Sequence, residues 1–184
     1  GFTISTGASS ASKTNFPAAG HASRGWATEQ GRCVMSEPSP LRLIAEDAED
    51  LEIISAAVQD AVTKAANLKF DKRQRRFTIE LNRFRWEEAT TDPRQRERVR
   101  SLLAIDGVLS AKARGLTRSD PELVVSLLRV EFVPADEPPA GEVVLTFAGD
   151  GEIRLETEVL DVTLLDSDYV WPTRHLPSHE KRRR

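Results

Sequence analysis

The chain has 184 residues, 39% of them hydrophobic and 30% charged, with a single cysteine. That length suits one packed domain, or one domain and a tail, and a lone cysteine excludes a disulfide-stapled framework. No stretch approaches the roughly 20 consecutive apolar residues of a membrane-spanning helix, so a soluble chain with no membrane partner is expected, and a net charge of −3 names no partner by itself.

Residues 1–40 are rich in Ser, Ala, Gly, Thr and Pro and show neither a 3.6-residue nor a 2-residue apolar period. They read as a disordered arm or as non-native upstream sequence, with Met35 as the original start. Cys33, Trp26 and His21 all lie in this arm, outside the expected domain. No basic start followed by a continuous apolar run marks a secretory signal.

From Leu41 the character changes. Leu41–Ile44 reads as a short strand, and Asp47 supplies an N-cap oxygen ahead of the first-turn acids Glu49 and Asp50. Leu51, Ile54, Val58, Ala61, Val62 and Ala65 share one face at helical spacing, which predicts an amphipathic helix over 48–66 that stops at Asn67. The period then becomes 2. Leu68 and Phe70 form a strand, 71–74 a turn, and Phe77, Ile79 and Leu81 the inward face of the next strand. Phe84 and Trp86 continue the alternation one residue out of phase, which predicts a β-bulge near Asn82-Arg83.

A long strand over 99–113 follows, with Leu103, Ile105, Leu109 and Ala111 on one face and Gly107 at a kink. Thr117–Pro121 is a loop. Val124, Leu128, Val130 and Phe132 make a strand, 134–141 is a Pro-rich loop, and Gly149-Asp150-Gly151 joins two alternating runs as a hairpin turn. Ile153, Leu155 and Val159 and then Leu160, Val162 and Leu164 change phase, which predicts a second bulge near Val159-Leu160. The class is α+β: one N-terminal amphipathic helix packed on a strongly bent, mainly antiparallel sheet of six to seven strands, half-barrel or sandwich-like. A single domain over 41–170 and a C-terminal tail over 171–184 complete the organisation.

Charge is distributed unevenly. Residues 69–118 carry 14 Lys and Arg against 7 Asp and Glu, and residues 119–170 carry 2 against 13. The basic part holds Arg73, Arg75, Arg76, Arg83, Arg85, Arg94, Arg96, Arg98 and Arg100, with Phe84 and Trp86 nearby. It reads either as a nucleic-acid or phosphate-binding face, or as strands whose cations pair across the sheet with the acids of the later strands. Interleaving with carboxylates would remove the first reading. The segment Asn82-Arg83-Phe84-Arg85-Trp86 is the first candidate for a binding site, and Arg73 and Arg76 join it.

Motifs of chemistry are absent. No nucleophile elbow, phosphate loop, dinucleotide fingerprint, H-E-x-x-H or paired C-x-x-C occurs. His175 and His179 have ligand spacing, but Pro177 between them bars a helix, so no metal site is expected. Glu87-Glu88 and Glu156-x-Glu158 have the look of any wet sheet, so no catalytic residue and no cofactor are assigned.

Four blocks in order, Leu41–Leu51, Leu81–Glu87, Asp106–Ser110 and Phe147–Glu156, resemble a bacterial family of unknown function, number 2948 in the domain-of-unknown-function series. The resemblance spans about Leu41 to His179. It implies a small cytoplasmic protein and brings no activity, cofactor or functional residue with it. The expected function is therefore a non-enzymatic module that binds a protein partner or itself through sheet edges. Nucleic-acid or phosphate binding through residues 73–100 is the alternative, and an enzyme with a site assembled by the fold is the third.

Overall fold

Phe77 pairs with Ile105, Ile79 with Leu103 and Leu81 with Ser101, so the predicted alternation of 77–81 does form the inward face of a central strand. The computed structural model describes residues 40–88, 96–116 and 120–174. The readings placed on residues 1–39, on Arg94, on Thr117–Ser119, on the His175/His179 pair and on most of the C-terminal tail fall outside them.

The elements in chain order are β1 Arg42–Ala45, α1 Ala48–Ala57, β2 Ala61–Lys64, β3 Leu68–Asp71, β4 Arg76–Phe84, β5 Glu97–Ile105, β6 Val108–Arg114, β7 Val124–Pro134, β8 Gly141–Phe147, β9 Gly151–Thr157 and β10 Val162–Pro172. Short 3₁₀ turns lie at Ala65–Asn67 and Trp86–Glu88. All ten strands join one antiparallel sheet in the order β1-β10-β5-β4-β2-β7-β8-β9-β6, with β3 paired to β4 beside this path. The α+β class stands, and the expected six to seven strands are corrected to ten among the described residues.

Two differences raise the strand count. Gly107 does not kink one long strand but separates two, since its φ of +69° lets the chain turn out of one ladder and into another. β5 pairs with β4 and β10, whereas β6 pairs with β9. The helix predicted over 48–66 ends at Ala57. Asp47 caps it as expected, its Oδ1 accepting the Asp50 N–H at 2.9 Å. Asp60 then takes φ +58°, and Ala61–Lys64 pair with β7. The residues at helical spacing in 61–65 include β-branched Val62 and sit beside Thr63, and strand pairing outcompetes a weak helical preference there.

The sheet is bent because its connections require it. β5 is third in the order and β6 ninth, yet Asp106 and Gly107 alone join them. Strands six places apart in a flat sheet would lie about 29 Å from each other at ~4.8 Å per place, and this link spans at most about 11 Å. β9 and β10 are joined across the same seam by residues 158–161. Asp106 N–H donates to the Asp161 carbonyl at 3.0 Å and Glu158 N–H to the Gly107 carbonyl at 3.2 Å, which holds it. The curled inner face encloses one core that includes Leu51 and Ile54 of α1, Leu81, Leu103, Leu127, Leu145, Leu155 and Leu164. The sheet does not close.

Bulges exist, but elsewhere than expected. The β4/β5 register runs without a shift from Phe77↔Ile105 to Phe84↔Arg98, so no bulge lies at Asn82-Arg83. The inward position after Leu81 is filled by Arg83 itself. Phe84 lies on the other face, buried with the Trp86 ring 4.6 Å away. The phase change at Val159-Leu160 is the link between β9 and β10, not a bulge. Register shifts occur at Leu127/Arg129 of β7, at Val108/Ser110 of β6 and at Asp166/Val170 of β10. The core therefore takes Val125, Leu127 and Val130 from β7 rather than Val124 and Leu128, and Leu109, expected inward, is exposed. The Gly149-Asp150-Gly151 hairpin forms as expected, with φ +80° at Gly149 and +61° at Asp150.

Candidate functional site

Arg83 is fully buried and uses all five of its N–H donors. Nε and Nη2 donate to Asp166 Oδ1 and Oδ2 at 2.9 and 2.6 Å, and Nη2 and Nη1 to Glu87 Oε1 and Oε2 at 2.6 and 3.0 Å. The last N–H reaches the Phe84 carbonyl at 3.3 Å. Asp166 in turn accepts the Ser101 hydroxyl at 2.7 Å and the Leu41 N–H at 3.3 Å. Burial opposes the charge on Arg83, but the hydrogen bonds it donates to Glu87 and Asp166 outweigh it and hold its pKa above the ordinary value. Burial likewise opposes ionisation of Glu87, and Arg83 overcomes it, so the Glu87 carboxyl lies below its usual range. The triad clamps β1, β4, β5 and β10 together, and it leaves Arg83 no donor for a ligand.

The other residues of the candidate segment are also engaged within the chain. Arg85 is buried and donates from Nη1 to Glu97 Oε2 at 2.8 Å. Trp86 donates from Nε1 to the Gln59 carbonyl at 3.2 Å, which pins the turn after α1. The Asn82 carbonyl accepts Arg98 Nη1 at 3.1 Å. Arg76 meets Asp106 through two bonds, at 2.6 and 3.1 Å, and these hold its pKa above the ordinary value. Arg75 pairs with Glu158 at 2.7 Å. Arg73 stands exposed in the β3–β4 turn, its backbone N–H held by Asp71. The six predicted residues do not converge on one pocket. Arg100 lies 5.1 Å from the Tyr169 ring centroid, with Trp171 packed on that ring, so the aromatic neighbour of Arg100 comes from β10.

Three larger clefts mark the surface. One of about 490 Å³ separates α1 from β7, with Glu52, Ser55, Arg129 and Glu131 on its walls. The Ser55 hydroxyl already accepts the Val130 N–H, and Arg129 pairs with Glu131. One of about 420 Å³ holds Thr63, Lys64, Asn67, Glu80, Asn82 and Arg100. There Thr63 donates to the Glu80 carbonyl and Lys64 pairs with Glu122.

The third cleft, of about 260 Å³, differs in kind. Leu68 and Phe70 of β3 face Ala111 and Ala113 of β6 across it, with Leu116 and Ile153 between. β3 pairs with β4 and β6 pairs with β9, and no second ladder is formed by either among the described residues. β6 meets the β3–β4 turn at its start, where the Val108 N–H donates to the Arg75 carbonyl at 2.8 Å; beyond that bond, over 109–114, β6 presents a free edge to that of β3 at the point where the curled sheet fails to close. Leu68 and Phe70 remain half-buried because small alanines stand opposite, leaving inward-facing apolar surface uncovered. Sequence reasoning missed this site, although Ala111, Ala113 and Leu116 at the end of an alternating run were its trace.

Among the described residues no group of three or more His, Cys, Asp or Glu is placed to hold a metal ion. No helix among them is long and apolar enough to cross a membrane. Compared with known proteins, residues 41–179 match the sequence model of DUF2948, described as a protein of unknown function, and this bears out the resemblance carried by the four sequence blocks. No curated protein and no solved structure matches the chain.

Proposed function

The chain belongs to DUF2948, a family of unknown function, and for it we propose a non-enzymatic role in protein interaction, in which an extended segment of a partner adds to the free edge of β6. The observation that carries this reading is the apolar cleft between β3 and β6, bounded by unpaired strand edges. Strand addition draws its affinity from backbone hydrogen bonds and its specificity from pockets that receive alternate side chains, and this cleft provides both. Less supports the nucleic-acid alternative, since four of the nine arginines of residues 73–100, Arg75, Arg76, Arg83 and Arg85, are each paired with a carboxylate. An enzymatic reading gains no support from the carboxyls with shifted pKa values, since Glu87 is held by Arg83 and Glu152 by Arg154.

Site-specific photo-crosslinking tests the role. A benzophenone side chain at position 113, beside the cleft, is expected to trap a discrete partner peptide in native lysate, whereas one at position 52, beside α1, traps none. Adducts from position 52 alone, or from neither position, contradict the proposal.

A further inference from the structure

We infer that the segment accepted by the β6 edge belongs to a partner protein and alternates apolar with acidic side chains. This rests on the strand-addition reading above and adds the chemistry of the partner. The inward positions of β6 at the cleft are Ala111 and Ala113, facing Leu68 and Phe70, so every second side chain of an added strand meets apolar surface. The intervening side chains fall beside the outward positions of β6 at the cleft, Lys112 and Arg114, which are both basic.

Lys112 stands directly opposite Arg154 of β9, a like-charge cross-strand pair, which is an unfavourable arrangement. Arg154 is already satisfied by Glu152 at 2.9 Å and Glu142 at 3.0 Å. Lys112 forms no ion pair among the described residues. Its neighbour Arg114 has a side chain 80% exposed and only a 4.0 Å approach to Glu152. Across the cleft Lys69 is also largely exposed, with a 3.4 Å contact to Glu80. The Asp71 carboxylate on that strand is taken up by the Arg73 and Gln74 backbone N–H groups. An added strand lies about 4.8 Å from β6, so a carboxylate at an outward position comes within reach of Lys112 on the side away from Arg154.

Exposed lysines on strand edges also serve to repel unwanted pairing, and the test separates the two roles. Random twelve-residue peptides displayed on phage are selected on the full chain and on two variants, Lys112→Glu and Ala113→Trp. The wild-type chain is expected to enrich peptides with apolar residues at alternate positions and Asp or Glu between them. Synthetic copies should bind Lys112→Glu roughly fivefold more weakly, while copies with Lys in place of the acids gain by a similar factor. Enriched alternating peptides with no acidic preference, unaffected by Lys112→Glu, overturn this inference and leave strand addition standing. Failure to enrich any peptide over the Ala113→Trp background overturns strand addition itself.

Discussion

Arg83 and Asp166 meet through two hydrogen bonds, Nε to Oδ1 at 2.9 Å and Nη2 to Oδ2 at 2.6 Å, across 83 residues of chain. Asp166 is 3% exposed and Arg83 is not exposed at all, so neither charge has water to fall back on. This contact ties β4 to β10 at the end of the sheet remote from the cleft, and it converts the most suggestive binding arginine of the sequence into a structural one.

Removing one member of a buried ion pair leaves the other charge uncompensated, which costs about 3–5 kcal/mol. Arg83→Ala is expected to destabilise the chain by that amount, read from the denaturation midpoint at unchanged slope. Arg83→Lys loses the two-point geometry and should recover only part of the deficit. A loss below about 1 kcal/mol for Arg83→Ala, the scale of a surface pair, would show that the triad does not hold these strands.

The same triad makes stability depend on acid. Because the folded pKa of Glu87 lies below that of the unfolded chain, its contribution is complete above the unfolded value of about 4.3 and fades as pH falls through the folded one. Thermal unfolding followed from pH 7 to pH 3 should show this loss in the wild-type chain. Glu87→Gln is less stable at neutral pH and loses less on acidification. Parallel pH profiles for the two proteins would contradict the assignment.

At the start of α1, Asp47→Ala removes the oxygen that accepts the Asp50 N–H. The expected cost is about 1 kcal/mol, measured by chemical denaturation. An unchanged midpoint would mean that the packing of Leu51 and Ile54 alone fixes where the helix begins.

Local signals were the ones readable from sequence. The Asp47 cap, the alternation of Phe77, Ile79 and Leu81 and the Gly149-Asp150-Gly151 hairpin each depend on residues within a few positions of one another, and each is present. The second half of the predicted helix failed because Ala61, Val62 and Ala65 fit a helical stripe equally well, and only pairing with Val124–Leu127 decides for a strand. Arg83 misled for a related reason. The phase change from Leu81 to Phe84 and Trp86 suggests a bulge, but the register is unshifted and the inward position holds Arg83, whose charge is satisfied only once Asp166 of a distant strand lies against it. The cleft was invisible because it results from sheet curvature, which brings the edges of β3 and β6 to one opening although their pairing partners lie elsewhere.

The most direct test of strand addition is amide hydrogen exchange on the full chain, with and without a selected peptide. The account predicts slowed exchange over 109–114 on the free edge of β6 and over 68–71 across the cleft, and loss of that protection in Ala113→Trp. Protection confined to the groove between α1 and β7, or a bound peptide that leaves 109–114 unprotected, would contradict it.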